Sequence, residues 1–339
     1  MTRIRLSVIR VSAFYLLLKE RLMPKKTSGQ APFVFAYCED LHTVPKKAAS
    51  CEVDLHGGFA VDQEAGGSIY YGMPGCGLMR ISPDLNAQEI IELPSDLKPI
   101  NFHGTKLCTF ENKRRLVMPA NSDQMVVVLS LDGNVDFILS RPEFDEYQDE
   151  SAPYNPTDVA IVHNHLYVAD GYGSNYISKA DLTTQQWTDI FAGKSSDPDA
   201  PGLFGTAHGL NPAPDGQHLS IADRPHARFE HFTFDGHFKA AYGIPAGSKP
   251  CGIDFIEWKG RSLALVGSLD DPQEGRAAPI YILDGTTYEV LSTIRPKEDL
   301  GIELADHIHN AVWYTYNGSL FLICQAWNPG FYFVLELDG

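Results

Sequence analysis

Basic residues are scarce in this sequence: 27 Lys plus Arg stand against 43 Asp plus Glu in 339 residues, a formal net charge of -16. A field of that sign repels phosphate backbones and anionic lipid surfaces, which argues against nucleic acid as a partner. Paired cysteines are missing. Cys38, Cys51, Cys76, Cys108, Cys251 and Cys324 are scattered with no C-x-x-C step, so neither a zinc ribbon nor a small disulfide scaffold is indicated. They read as buried thiols, with one bridge left open. Long apolar runs are missing too. The candidate at residues 11–18 is cut off by Lys19 and Glu20, too short to span a bilayer, and no small-x-small cleavage site follows it. Residues 1–30 therefore read as a leader outside the fold, with a degenerate signal peptide as the alternative. The expected compartment is cytoplasmic, against exported or periplasmic. There is no Gly-rich phosphate loop and no G-x-S-x-G elbow, and helical periodicity is nearly absent beyond the leader, which counts against two-domain α/β readings.

What is present is a repeat. An apolar strand ending in Asp, followed by a turn-former, recurs at Asp84, Asp132, Asp181, Asp235, Asp284 and Asp338, with spacings of 48, 49, 54, 49 and 54 residues. Asp-Gly and Asp-Leu-Thr/Asn steps between apolar alternations are hairpin turns. Two further strand-like runs lie upstream of each Asp and one downstream. Four short strands per unit of about 50 residues, six times over, predict an all-β fold: a six-bladed β-propeller with four-stranded blades over residues 31–339. The sixth unit stops after its third strand. "PFVFAY" (residues 32–37) is expected to supply the missing one and close the ring, which leaves no open edge.

Aligned on their first strands, the units read "LHGGFAV", "FHGTKLC", "PTDVAIV", "AHGLNPA", "PCGIDFI" and "IHNAVWY". The heading position holds His56, His103, Thr157, His208, Cys251 and His309. Histidine takes four of six places, where 12 histidines in the chain would put about 0.2 by chance. First strands line a propeller's channel, so residues at one repeat phase ring the axis. His103, His208 and His309 come from alternate blades, roughly 120° apart. Three convergent imidazoles with an open position are what a catalytic divalent ion requires; zinc is the expected metal and iron the alternative. His56 is a fourth ligand, a second-layer partner or a spectator. The competing reading is a wet channel whose imidazoles bond only to water.

The second strands end in loops at the same mouth, which brings Asn121, Tyr172, Arg224, Arg228, Trp327 and, two residues before His309, His307 into consideration. Tyr172 suits an acid/base and Arg224 an electrostatic support, while His307, Asn121, Arg228 and Trp327 are candidates for substrate binding. The bland alternatives are a packed loop aromatic for Tyr172 and an ion pair with Asp223 or Asp170 for Arg224. His163, His165, His218, His226, His231 and His237 are expected to face solvent. The acidic loops at residues 143–151 and 195–202 are expected to be solvated, with structural calcium as the weaker option.

At "NPTDVAIVHNHLYVADGYGSNYISKAD" and "AHGLNPAPDGQHLSIADRPHARFEHF" the chain resembles peptidyl-α-hydroxyglycine α-amidating lyase, a relative of the NHL-repeat propellers. The family shows P-T-D-V-A then V-x-D-G-Y in one blade, and H-S-L then A-D-R in the next. The resemblance covers residues 152–236 strongly and the other blades loosely. It implies zinc on three channel histidines, here His103, His208 and His309, a tyrosine base, here Tyr172, and an assisting arginine, here Arg224. It also implies release of glyoxylate from an N-acyl-α-hydroxyglycine, and so a small-molecule or peptide-derived substrate. The departures bear on substrate. The family's first-blade arginine has no counterpart before Arg80, His307 replaces a methionine, Asn310 replaces a calcium-binding Asp, and His56 is added. A hydrolase or four-histidine oxygenase, and a non-enzymatic binding propeller, remain the alternatives.

Overall fold

Short apolar runs closed by Asp turns bury themselves by pairing edge to edge and stacking face to face, and the computed structural model has that arrangement. It describes residues 25–52, 55–63, 67–149 and 152–339. Strands β1 (Thr27–Gln30) and β2 (Phe33–Tyr37) come first. The first blade is β3 (Ala60–Val61), β4 (Ile69–Met73), β5 (Gly77–Ile81) and β6 (Gln88–Ile91), and the second is β7 (Lys106–Phe110), β8 (Lys113–Ala120), β9 (Met125–Ser130) and β10 (Val135–Ser140). The third runs β11 (Asp158–Val162), β12 (His165–Ala169), β13 (Tyr176–Asp181) and β14 (Gln186–Ala192). The fourth runs β15 (Ala207–Pro212), β16 (His218–Asp223), β17 (Arg228–Thr233) and β18 (Phe238–Gly243). The fifth is β19 (Asp254–Trp258), β20 (Arg261–Gly267), β21 (Ile280–Asp284) and β22 (Val290–Ile294), and the sixth opens with β23 (Ile308–Tyr316), β24 (Ser319–Ala326) and β25 (Phe331–Leu337). Each blade is an antiparallel sheet, and together they form a six-bladed β-propeller.

Five of the six Asp marks fall at turns between third and fourth strands, while Asp338 follows β25 and donates its amide to Val34 O; at Asp181 and Asp284 the side chain bonds within its own turn. Asp181 Oδ1 accepts from the amides of Thr183 and Thr184, and Asp284 Oδ1 from those of Thr286 and Thr287. An Asp that folds back on its own turn in this way selects the hairpin without long-range help.

Apolar packing is distributed around the ring. Among the described residues six separate clusters form, each joining two neighbouring blades; one packs Phe59 and Tyr71 of the first blade against Tyr314 and Ile323 of the sixth, and another packs Ala222 and Phe229 of the fourth against Val266 and Tyr281 of the fifth. Because the hydrophobic driving force is satisfied between blades, the axis is left to polar side chains. Polar latches reinforce the contacts: Asp158 accepts from the amide of Leu210 one blade on, and Asp254 from that of Trp313.

Ring closure uses the N-terminus as expected. β2 pairs antiparallel with β25, Ala36 opposite Glu336, and supplies the sixth blade's fourth strand. The sheet begins earlier than the boundary at residue 31, however, because β1 adds a fifth strand beside β2. Its sequence TSGQ carries no apolar alternation, and what holds it is the neighbouring blade. Ser28 donates to Asp299, and the Ser292 hydroxyl accepts from the Gln30 amide while donating to the Phe33 carbonyl. Residues 1–24, with the apolar run at 11–18, lie outside the described residues. All six cysteines are free thiols. Among the described residues, no helix is long and apolar enough to cross a membrane.

Candidate metal centre

The channel positions are held by a repeated backbone arrangement. The amide of His103 donates to Pro119 O, that of Thr157 to Ala169 O and that of Cys251 to Gly267 O, so each strand-heading residue is pinned to its own blade's second strand. His208 and His309 instead sit inside β15 and β23, where the register slips between Ala207 and Leu210 and between Ile308 and Asn310. Such bulges re-aim a side chain that strict alternation would send elsewhere. Blades approach closely here, which accounts for the His-Gly steps: a Cβ on Gly57 would lie 2.5 Å from Phe102 O, and one on Gly209 would press on Cys251 O and lie 2.5 Å from Gly252 Cα.

Four imidazoles converge. Ring centroids lie 4.3 Å apart for His56–His103 and His56–His309, 4.7 Å for His103–His309, 4.8 Å for His103–His208 and 5.0 Å for His208–His309. One nitrogen each from His56, His103 and His309 falls within 4.8 Å of the other two. His56, expected only as a candidate fourth ligand, is thus in the heart of the cluster, and His208 stands at its flank beside Tyr172.

Backbone carbonyls fix two of the tautomers. His103 Nδ1 donates to Thr157 O at 2.6 Å and His208 Nδ1 donates to Cys251 O, while the Thr157 hydroxyl donates to His208 O. A chain of bonds thereby runs from blade two to blade five around the axis, and it leaves Nε2 of both histidines with a lone pair. His208 Nε2 accepts from the Tyr172 hydroxyl at 3.0 Å. Nε2 of His103 and both nitrogens of His309 are buried without a partner among the described residues. Unpaired buried polar atoms cost on the order of 1–3 kcal/mol each, and a carbonyl holding the far nitrogen of an imidazole is the usual support of a metal ligand.

The protonation state agrees. Burial, with smaller contributions from neighbouring imidazoles and Arg224, drives His103, His208 and His309 well below the usual histidine range, and burial with Arg224 takes His56 to about 4. Neutral imidazole is the ligating form. The donor set fits a borderline transition ion such as zinc or iron and lacks the carboxylates that calcium or magnesium requires. The cluster can hold a metal ion.

Tyr172 reaches the cluster from the loop after β12. Its ring lies 5.0 Å from that of His103, and its hydroxyl also accepts from Arg224 Nη1 at 3.1 Å. Arg224 is buried and points its other nitrogen at the Cys251 thiol, 3.4 Å away. The ion-pair alternatives for Arg224 are occupied otherwise. Asp223 bonds to His226 and the Gly205 amide, and Asp170, raised to about 6 by burial, accepts from Tyr147 and the amide of Ser174. Burial raises Tyr172 above the usual phenol range, and Arg224 pulls it partly back.

Other expected residues divide. Trp327, 39% exposed, stands at the rim with its ring 5.8 Å from His56 and 6.1 Å from His307, whose Nδ1 donates to Leu269 O. Asn121 makes its own turn, accepting from the Ser122 amide. Arg228 is taken up by Asp223 and Glu230. At the acidic loop near residues 143–149, the carbonyls of Tyr147, Asp149 and Ala152 gather on the Arg141 guanidinium, where calcium was the weaker expectation; residues 150 and 151 lie outside the described residues. His231 corrects the solvent-facing assignment: it is 6% exposed, covered by Tyr288 and Tyr242. Sequence reading named no site role for Thr157 and Cys251, although their repeat phase, shared with the histidines, already marked them as channel residues.

No family model matches the sequence, and no curated protein does. Among solved structures, a gluconolactonase from Xanthomonas campestris shares 15% identity, with a TM-score of 0.56 over 94% of this chain and 99% of that one. A hydrazine synthase of Kuenenia stuttgartiensis aligns at 15% identity and a TM-score of 0.44 over 62% of this chain, which spans 53% of the length of that protein. The class defined by fold and site is a six-bladed propeller with a histidine cluster on its axis.

Proposed function

We propose that this protein is a metal-dependent enzyme whose ion is held by His103, His309 and His56 together with His208, which joins them by exchanging the Tyr172 hydroxyl on Nε2 for the ion, and that it acts as a lyase on a small-molecule or peptide-derived substrate, cleaving a C–N or C–O bond beside a hydroxyl. The observation that carries the reading is the convergence of four neutral imidazoles, three of their buried nitrogens unpaired, next to the Tyr172–Arg224 pair. The resemblance to peptidyl-α-hydroxyglycine α-amidating lyase supplies the reaction class.

When bound, a divalent ion supplies Lewis acidity to a substrate oxygen and lowers the pKa of a hydroxyl. The chain's own groups supply proton transfer and orientation. Tyr172 takes the proton of the substrate hydroxyl and returns it to the departing nitrogen or oxygen, so the electrons of the O–H bond form the new carbonyl as the C–N or C–O bond breaks. Arg224, 3.1 Å away, favours the phenolate that this exchange requires, against the burial that resists it. Trp327 and His307 at the rim bound the space the substrate enters. Arg80, the first arginine available in blade one, is paired with Glu89, so among the described residues of that blade no free arginine stands ready for a substrate carboxylate. The substrate class is therefore a hydroxylated amide or related adduct, with an adjacent carboxylate not required.

A second reading rests on His56. Its ring is equally close to His103 and His309, and four imidazoles also suit a non-haem iron oxygenase or a hydrolase. The deciding experiment is elemental analysis of untagged protein beside His208→Ala and His309→Ala, followed by a glyoxylate-release assay on an N-acyl-α-hydroxyglycine. Loss of the channel equivalent of metal in both variants, together with glyoxylate release by the wild type, supports the lyase. Iron with oxygen uptake favours the second reading, and a protein that takes up no metal into the channel would be a binding propeller.

A further inference from the structure

We infer that the outer groove between blades four and five carries a second transition-metal site, built from Asp215, His218 and His231 and independent of the channel. One ligand atom from each of these residues lies within 4.8 Å of the other two. His218 opens β16 and His231 lies in β17, their rings stacked at 5.9 Å. Asp215 belongs to the turn before β16, which it closes by accepting from the amides of Gln217 and His218 through Oδ1. Its other oxygen is 2.6 Å from His218 Nδ1.

The surroundings are those of a ligand set. His231 Nε2 bonds to the Tyr288 hydroxyl at 2.7 Å, and that hydroxyl bonds in turn to Ser220 Oγ at 2.8 Å. Tyr288 comes from blade five in a left-handed backbone conformation, φ 64°, and its ring stacks on Tyr242, 4.6 Å away. His231 is thus oriented through Nε2 by Tyr288, a partner outside the ligand set, and keeps Nδ1, which is how outer-layer groups aim metal ligands; His218 is held through Nδ1 by Asp215, itself one of the three, and keeps Nε2. Burial holds His231 neutral, at about 4.

The site opens on a groove of about 280 Å³ lined by Asp215, His231, Tyr242, Glu257 and Ser262. Ser262 Oγ is buried there without a partner, and the Glu257 carboxylate borders the same space. Two imidazoles and one carboxylate leave a fourth position free and select zinc or a similar borderline ion over magnesium or calcium. An ion bound there would tie the β15–β16 turn to the middle of its blade.

The test compares full-length wild type with His218→Ala, at the first residue of β16, whose loss leaves the His231–Tyr288 bond in place, by Zn²⁺ titration against a chromogenic chelator. The expected result is one fewer zinc equivalent in the variant, or binding at that equivalent weakened by more than about tenfold. The same difference is expected in a His103→Ala/His309→Ala background, so failure of the channel reading would not remove it. Asp215→Asn should give the same loss, and its Co²⁺ complex should lack the d–d absorption assigned to this site. Equal stoichiometry and affinity in wild type and His218→Ala, or displacement of the zinc by millimolar Mg²⁺, overturns the proposal.

Discussion

The Tyr172 hydroxyl lies 3.0 Å from His208 Nε2 and 3.1 Å from Arg224 Nη1, so a single phenol oxygen joins the imidazole cluster to its nearest cation. Replacing that oxygen while keeping the ring separates acid/base work from packing. Tyr172→Phe is expected to retain its metal and lower kcat by about 10²–10⁴, the usual worth of a positioned acid/base. Steady-state kinetics with metal analysis on the same sample check this; full activity in the variant would remove Tyr172 from the chemistry.

His56 separates the three-ligand from the four-ligand centre. Its nitrogen lies within ligand range of His103 and His309, yet it is less buried than either. His309→Ala is expected to abolish channel binding, while His56→Ala weakens it by about 10–100-fold, the range for a supporting group. Loss of metal also removes a stabilisation of about 4 kcal/mol when free ion is a thousandfold above Kd. In a His218→Ala background, which removes the outer groove's ion, chelation should therefore lower the Tm when His309 is present and leave it unmoved when His309 is also replaced by Ala.

The fold was legible because its marks are local. Asp181 and Asp284 bond to amides two and three residues ahead, so at those turns the residue type answers a demand of the turn itself. The channel histidines were legible as a repeat phase, although the bulges at His208 and His309 that aim them were not. Distant partners hid the remainder. β1 has a polar sequence and is held by Ser292 and Asp299, more than 250 residues away in the chain. His231 looks like any outer-strand histidine until Tyr288 of the next blade covers it. Arg228, four residues after Arg224, could not be told from it by spacing, and only the structure turns it to Asp223 and Glu230.

The pH dependence of stability follows from the buried imidazoles. His309 is held well below the histidine range by burial first and by His56, His103 and His208 next. In the metal-free protein the unfolded chain gains a proton at this residue below about pH 6.5 while the folded chain does not, so folding loses stability as pH falls through that value. Asp170 at about 6 and Glu230 at about 7 act in the opposite sense, because the folded state holds their protons more tightly. The informative quantity is therefore a difference. Chelated His309→Leu should lose less stability on acidification than chelated wild type, by a slope that rises from about 0.7 kcal/mol per pH unit at pH 6.5 toward about 1.4 kcal/mol per pH unit well below it. Urea midpoints at pH 7.5, 6.0 and 5.0 measure it, and parallel curves would show that His309 is not held neutral.

Gly209 tests whether the close approach of blades is what sets the cluster. A Cβ there would press on the carbonyl oxygen of Cys251, the same atom that accepts from His208 Nδ1. Gly209→Ala must push blade four from blade five or tilt that carbonyl, and either movement frees the His208 ring while adding overpacking strain of roughly 1–3 kcal/mol. The expected outcome is weaker metal binding together with a lowered denaturation midpoint. Gly216→Ala, on the outer turn with open space around it but φ of 65°, supplies the control: it should lower stability through backbone strain alone and leave the channel metal unchanged. If Gly209→Ala bound metal as the wild type does, the Cys251 carbonyl's place beside His208 would be a consequence of blade packing with no part in aiming that histidine.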